Sequence, residues 1–134
     1  MKVVITGGTG FVGQAVVRAL VERGDSVVVL TRDPFEATER LRAGIGEGPG
    51  SARRGEERVQ LRAWEPDRSG SWQEHVDGSD AILHLAGESL AASRLGEKLM
   101  ARAHQSRVRA AELLVEAMEK ASAPPRVFVS ASGV

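Results

Sequence analysis

The sequence predicts an α/β fold: a doubly wound parallel sheet in the order 3-2-1-4-5 with helices on both faces. Three observations carry this. Short β-branched runs alternate with amphipathic stretches along the chain, as βαβ units require. A glycine-rich turn joins the first run to the first amphipathic stretch. Right-handed crossovers then leave few ways to order five such strands. In that order a ligand lies at the carboxyl ends of strands 1 and 4, where the winding reverses.

Lys2 to Thr6 (KVVIT) is short and β-branched and reads as a buried strand. Phe11 to Arg23 carries Val12, Ala15, Val16, Ala19 and Leu20 at helical spacing, and Gly24 is placed to end it. Ser26 to Leu30 (SVVVL) is a second buried strand. Pro34 to Arg42 is a short helix with proline near its start. Residues Gly44 to Glu57 hold five glycines and a proline and read as a mobile loop. Val59 to Ala63 is a third strand, Ser71 to Val76 a short helix, and Asp80 to Leu85 (DAILHL) a fourth strand. Glu97 to Ala121 is a long helix with an apolar stripe through Leu99, Ala103, Ala110, Leu113, Leu114, Ala117 and Met118. Pro124-Pro125 stops it, and Arg126 to Val129 begins a fifth strand.

The 134 residues suffice for one domain with a real core, and 42% hydrophobic with 27% charged residues is ordinary globular composition. Eighteen basic and 18 acidic residues cancel. No broad basic field is left to hold nucleic acid or an anionic membrane. Arg53-Arg54 sits in the glycine-rich stretch and reads as solvated loop. With no cysteine, disulfides, thiolate metal sites and a cysteine nucleophile are excluded. No apolar run approaches the roughly 18 residues of a membrane span. The start, Met-Lys and then a strand, is no signal peptide, which favours the cytoplasm.

The chemistry concentrates at Gly7, Gly8, Thr9, Gly10, Phe11, Val12 and Gly13. These residues satisfy Gly-x-x-Gly-x-x-Gly and, from Gly8, Gly-x-Gly-x-x-Gly. Glycine is needed for a tight turn out of the strand, for approach to a pyrophosphate, and for close packing of helix on sheet. The N–H groups and dipole of the helix start then hold the anion. The alternative is a glycine-rich turn without a ligand. The position of the loop, after a strand and before a helix, favours a dinucleotide-binding Rossmann unit.

An NAD-binding unit usually carries Asp or Glu about 20 residues further on, at the end of strand 2. This chain has Thr31-Arg32 there. A guanidinium suits a 2′-phosphate and can stack on adenine. Asp33 comes late and precedes Pro34, a helix-capping position. The reading is therefore NADP(H) rather than NAD, with Arg32 as a plain strand-end surface charge the alternative.

With these segments in hand, the chain resembles the extended and atypical short-chain dehydrogenase/reductases, and among them the YfcH-like epimerase family proteins. The matching segments are GGTGFVG at Gly7 to Gly13, LTR at Leu30 to Arg32, HLAGE at His84 to Glu88, Ser106-Arg107, and PPRVFVSAS at Pro124 to Ser132. The resemblance runs end to end apart from 44–57. It implies that Leu85, Ala86 and Gly87 line the ribose and pyrophosphate side of the cofactor. It implies that Arg107 faces the nicotinamide end of the cleft, with Arg102, a turn earlier, a lesser candidate. It implies that Ser132 hydrogen-bonds a substrate carbonyl or hydroxyl; a strand-end serine is the alternative. Arg107 also falls within its helix's apolar stripe, where a buried arginine needs an anionic partner; a snorkelling surface arginine is the other reading. Trp64 either flanks adenine or packs in the core. His75, His84 and His104 share no metal-ligand spacing, and His84 reads as a satisfied core histidine. Glu88 and Ser89 read as caps for the next helix. Relatives of this kind often associate through the helices flanking strands 4 and 5, which implies a homodimer.

Short-chain dehydrogenases place a Tyr-x-x-x-Lys pair on the helix after strand 5, where the lysine lowers the tyrosine pKa. This chain stops at Val134, before that helix, and has no tyrosine. The expectation is therefore the N-terminal, cofactor-binding part of a longer protein acting on an unknown small-molecule substrate. Taken alone, the 134 residues are expected to bind cofactor weakly or not at all and to catalyse nothing. A non-catalytic NADP sensor and a structural domain without nucleotide are the competing readings.

Overall fold

A computed structural model describes residues 1–43, 57–87 and 96–131, without the side chains of residues 99 and 100. In chain order the elements are β1 (Lys2–Thr6), α1 (Phe11–Arg23), β2 (Ser26–Thr31), α2 (Pro34–Arg42), β3 (Val59–Ala63), a 3-10 helix (Ser71–His75), β4 (Ala81–His84), α3 (Glu97–Lys120) and β5 (Val127–Ser130). The five strands form one parallel sheet in the order β3-β2-β1-β4-β5. This is the Rossmann-like arrangement that the sequence predicts.

Strand periodicity divides the core in two. Val4, Val28, Leu30 and Ile82 project to one face, where they pack with Trp64, Trp72, Val76 and the Ala110, Leu113, Leu114 and Ala117 stripe of α3. Ile5, Val27 and Val29 project to the other, against Val17 of α1 and Leu41 of α2. Register makes each layer continuous: Val4 lies beside Val28 on one flank and Ile82 on the other. An all-apolar strand such as VVVL therefore needs no polar face, because both faces are covered.

Local chemistry fixes the ends. Gly24 takes a left-handed φ of 94° and closes α1, its N–H bonding back to Leu20 and Val21. Asp33 caps α2, accepting from the Glu36 N–H at 3.0 Å, with Pro34 in the first turn. Asp25 is buried and accepts from the N-terminal ammonium at 2.9 Å and from Arg23 Nε at 2.6 Å.

Several boundaries differ by a residue from the sequence reading. β2 runs on to Thr31, whose carbonyl accepts from Trp64 N. The Ser71 segment is 3-10 rather than α. β4 is shorter at both ends than Asp80 to Leu85. At one end the Asp80 carboxylate takes the Lys2 N–H; at the other the Ala86 N–H turns to the Thr6 hydroxyl. The long helix ends at Lys120, and β5 is displaced by one residue. The stretch 44–57 lies, apart from Glu57, outside the described residues, as do Glu88 and Ser89. Among the described residues no helix is long and apolar enough to cross a membrane.

Leu114 is fully buried in the α3 layer, whereas Val115 beside it is 43% exposed. Leu114→Ala is expected to cost about 3 kcal/mol of unfolding free energy, and Val115→Ala within about 0.5 kcal/mol of nothing, by urea denaturation.

Candidate functional site

The site begins at the carboxyl end of β1. Gly7 leaves the strand with φ +71°, and a Cβ built there would lie 2.6 Å from Ala86 N and from the Leu85 carbonyl carbon. Only glycine allows both the dihedral and the contact. The turn closes with the Gly10 N–H donating to the Gly7 carbonyl at 3.1 Å. Gly10 is the N-cap of α1 and extended, and Gly13, one turn in, packs so tightly that a Cβ would run into the Gly7 carbonyl. Gln14 braces the loop, its Nε2 donating to the Thr9 carbonyl at 2.7 Å.

The N-terminus of α1 has no side-chain cap and no acidic residue in its first turn. The first N–H groups of a helix have no partner within the helix and carry the positive end of its dipole. Phe11 is 96% exposed and Val12 is exposed as well. This end is chemically ready for an anion in a way that the Asp33-capped α2 is not.

Opposite the loop runs the segment after β4. The Leu85 N–H donates to the Thr6 carbonyl and the Ala86 N–H to Thr6 Oγ1, both at 3.1 Å. That hydroxyl is also hydrogen-bonded to His84 Nδ1 at 2.7 Å. Thr6 is fully buried. One strand-end threonine thus ties β4's exit to β1 and holds Ala86 over Gly7. His84 is buried, as the sequence suggests, but it is not the fully satisfied histidine expected: Nδ1 is partnered, and Nε2 is buried without a hydrogen-bond partner among the described residues. Burial pushes its imidazole below the usual histidine value; the Arg107 backbone opposes that shift and the Arg107 charge adds to it.

Between these walls lies a cleft of about 430 Å³. Gly7, Thr9 and Gly10 form one side, and Leu85, Ala86 and Gly87 another. Thr31 and Arg32 meet it from the end of β2, with Asp33, Glu36, Ala37 and Arg40 from α2. Trp64 and Ala110 line it from the α3-side core, and Ser106 from α3. Trp64 is core and lining at once: it is 5% exposed and meets Trp72 edge-on, with centroids 5.3 Å apart.

Of the residues singled out from sequence, Gly7, Thr9, Gly10, Thr31, Arg32, Leu85, Ala86 and Gly87 share this lining. Phe11, Val12 and Gly13 form the first turn of α1 beside it. Arg107 is half-buried with its guanidinium against Gly87, where a Cβ would come within 2.9 Å of Arg107 Cζ. Arg102 is exposed on α3 and is not among the lining residues. Ser132 lies outside the described residues. Among the residues that escaped the sequence reading as site residues are Thr6, Glu36, Arg40 and Ser106. Arg40 left a signal, since positions 33, 36, 37 and 40 fall on one face of a helix that starts beside Arg32. Among the described residues no group of His, Cys, Asp and Glu could hold a metal.

Comparison with known proteins agrees with this fold. The model of the NAD dependent epimerase/dehydratase family matches residues 3–134. The chain belongs to this family. Protein Rcp of Vibrio cholerae is 32% identical over 132 residues, covering 98% of this chain and 56% of that protein. The human epimerase family protein SDR39U1 is 29% identical over 136 residues, all of this chain and 37% of that protein. The crystal structure of the human protein, solved with NADPH, superposes with a TM-score of 0.67 at 30% identity. A UDP-glucose-4-epimerase from Stenotrophomonas maltophila, solved with NAD, gives a TM-score of 0.71 at 22% identity, a likeness of fold. The chain thus spans between about a third and a little over half of the relatives it matches.

Two predictions follow from the Thr6–His84 contact. Thr6→Val removes the acceptor of the Ala86 N–H and the partner of His84 Nδ1, and should cost about 2 kcal/mol in urea denaturation. The second concerns pH. His84 and His75 both sit below the ordinary value of 6.5, chiefly through burial. The unfolded chain therefore binds protons that the fold refuses, and stability is complete above about pH 6.5 and falls as pH drops below it. Replacing His84 by Asn should flatten this slope in unfolding curves between pH 7.5 and 5, leaving the His75 part. The carboxylates of Asp25 and Asp77, depressed by their hydrogen bonds, act lower, below their ordinary 3.8.

Proposed function

We propose that the chain is the NADP(H)-binding unit, over residues 1–134, of an epimerase- or oxidoreductase-type enzyme of the short-chain dehydrogenase/reductase kind. The observation that carries it is the uncapped, glycine-cornered N-terminus of α1, set across a cleft from the Leu85–Gly87 backbone, with Arg32 at the far rim. These residues fit a dinucleotide. A pyrophosphate suits a helix start that offers N–H groups and no side chain in the way. NADPH in the human relative supports the reading.

In this reading Gly7, Thr9, Gly10 and Gly13, with the Phe11 and Val12 N–H groups, hold the pyrophosphate. Thr31 and Arg32 receive the adenosine ribose, the guanidinium meeting a 2′-phosphate with paired donors. Leu85, Ala86 and Gly87 follow the chain of the cofactor towards its nicotinamide end, where Arg107 stands. Ser132 orients the substrate. The cofactor supplies or accepts the hydride, and the chain's own residues bind it, orient it and shield one face from water. With no tyrosine in the 134 residues, the proton-transfer step of the Tyr-x-x-x-Lys type has no donor here, so the chain binds without turnover.

The carboxylate that would select NAD is otherwise engaged. Asp33 is the helix cap of α2, which favours NADP(H) over NAD. Millimolar NADPH should raise the melting temperature of the chain more than NADH does. Arg32→Asp should abolish the difference; an unchanged preference would remove Arg32 from the argument, and turnover of NADPH by the purified chain would overturn the binding-only reading.

A further inference from the structure

We infer that Arg40 is a second cation for the 2′-phosphate, held until then by Glu36, and that this ion pair sets how sharply NADPH is distinguished from NADH. The inference rests on the nucleotide reading above and assigns residues of α2 that it leaves without a role.

The α2 face towards the cleft is Asp33, Glu36, Ala37 and Arg40, a spacing of three, one and three residues that keeps them on one helical stripe. Both carboxylates of the stripe have defined partners. Asp33 Oδ1 accepts from the Glu36 N–H at 3.0 Å. A glutamate three residues after a cap commonly reaches back to the cap's own N–H. Here that N–H donates to Thr31 Oγ1 at 3.3 Å instead, and Glu36 Oε1 accepts from Arg40 Nη2 at 2.5 Å. Glu36 thus neutralises one of two guanidinium groups that line the same cleft.

The pair is built to open. Both side chains are more than half exposed, 55% and 58%, and they are four residues apart on one helix. Such pairs are among the weakest ion pairs in proteins. A 2′-phosphate carries between one and two negative charges with three acceptor oxygens, more than Arg32 alone offsets. Guanidinium–phosphate hydrogen bonds are charge-assisted and bidentate, so Arg40 exchanges a weak partner for a strong one when the phosphate arrives. A ribose 2′-hydroxyl offers no such exchange, and with NADH the Glu36–Arg40 pair stays closed. The carboxylate therefore acts as a competitor that only the phosphorylated nucleotide displaces.

The test is calorimetric titration of 2′,5′-ADP and 5′-ADP, then NADPH and NADH, into the unaltered chain and four variants. Arg40→Gln should weaken the 2′-phosphorylated ligands about tenfold and leave the others within about twofold. Arg40→Lys should recover part of the loss. Glu36→Gln should strengthen the 2′-phosphorylated ligands and leave the others unchanged. Arg32→Ser is the control for the underlying reading. If Arg32→Ser weakens NADPH while Arg40→Gln and Glu36→Gln leave it unmoved, the inference on Arg40 is overturned and the nucleotide site stands. If neither the unaltered chain nor any variant binds a nucleotide, both fall together. Equal losses for phosphorylated and unphosphorylated ligands in Arg40→Gln would show general disruption of α2 and would also overturn it.

Discussion

β1 ends where its backbone passes so close to the backbone after β4 that a methyl group on Gly7 would lie 2.6 Å from the Ala86 nitrogen. The candidate site follows from that approach. It needs parallel pairing of β1 with β4, which sets Thr6 beside His84 in register. It also needs Thr6 to be a threonine, because the hydroxyl satisfies the Ala86 N–H that the ladder leaves behind. A buried N–H without an acceptor is costly, so the end of β4 could not be held there by shape alone. Gly13 repeats the constraint one turn into α1, where the helix leans on the loop it follows. Two walls of the cleft are therefore backbone, placed by sheet geometry rather than by flexible side chains.

The third wall is of another kind. Thr31, Arg32 and the α2 stripe present side chains that are mostly exposed and mostly charged. A rigid backbone cradle beside a polar, adjustable rim suits a ligand with one invariant part and one variable part. The family to which the chain belongs is described as NAD dependent, and the human relative was solved with NADPH. NAD and NADP differ at the ribose, which in the proposed reading meets the rim, and it is there that the chain can afford variation.

The fold was largely legible because the signals that make it are local. β-branched runs, the Gly24 stop, the Asp33-Pro34 start and the glycine loop each act within a few residues, and the boundaries they imply fall within about a residue of the structure. What escaped was non-local. Thr6 reads as the last residue of a buried strand, and only its neighbour across the sheet, 78 residues on, gives its hydroxyl a role. Ser106 lies on the inward stripe of its 24-residue helix, between Ala103 and Ala110, yet reads there as helix packing, because the stripe does not say which of its turns reaches beyond the core to the cleft. Arg40 was hidden by its pairing with Glu36, which from sequence is an ordinary helix-surface ion pair. Trp64 resisted a choice between core and ligand wall because, buried and yet lining the cleft, it is both.

That double placement of Trp64 has an optical consequence. The chain has two tryptophans and no tyrosine, and both indoles sit in the layer under α3, ring against ring. The layer under α1 and α2 contains neither. Intrinsic emission is therefore a one-sided reporter: it follows the loosening of one half of the core and is blind to the other. Because Trp64 also lines the cleft, the same signal senses whatever enters there. A change in fluorescence on adding a ligand and a change on partial unfolding would arise from one pair of rings, and a probe on the α1 side is needed to tell them apart.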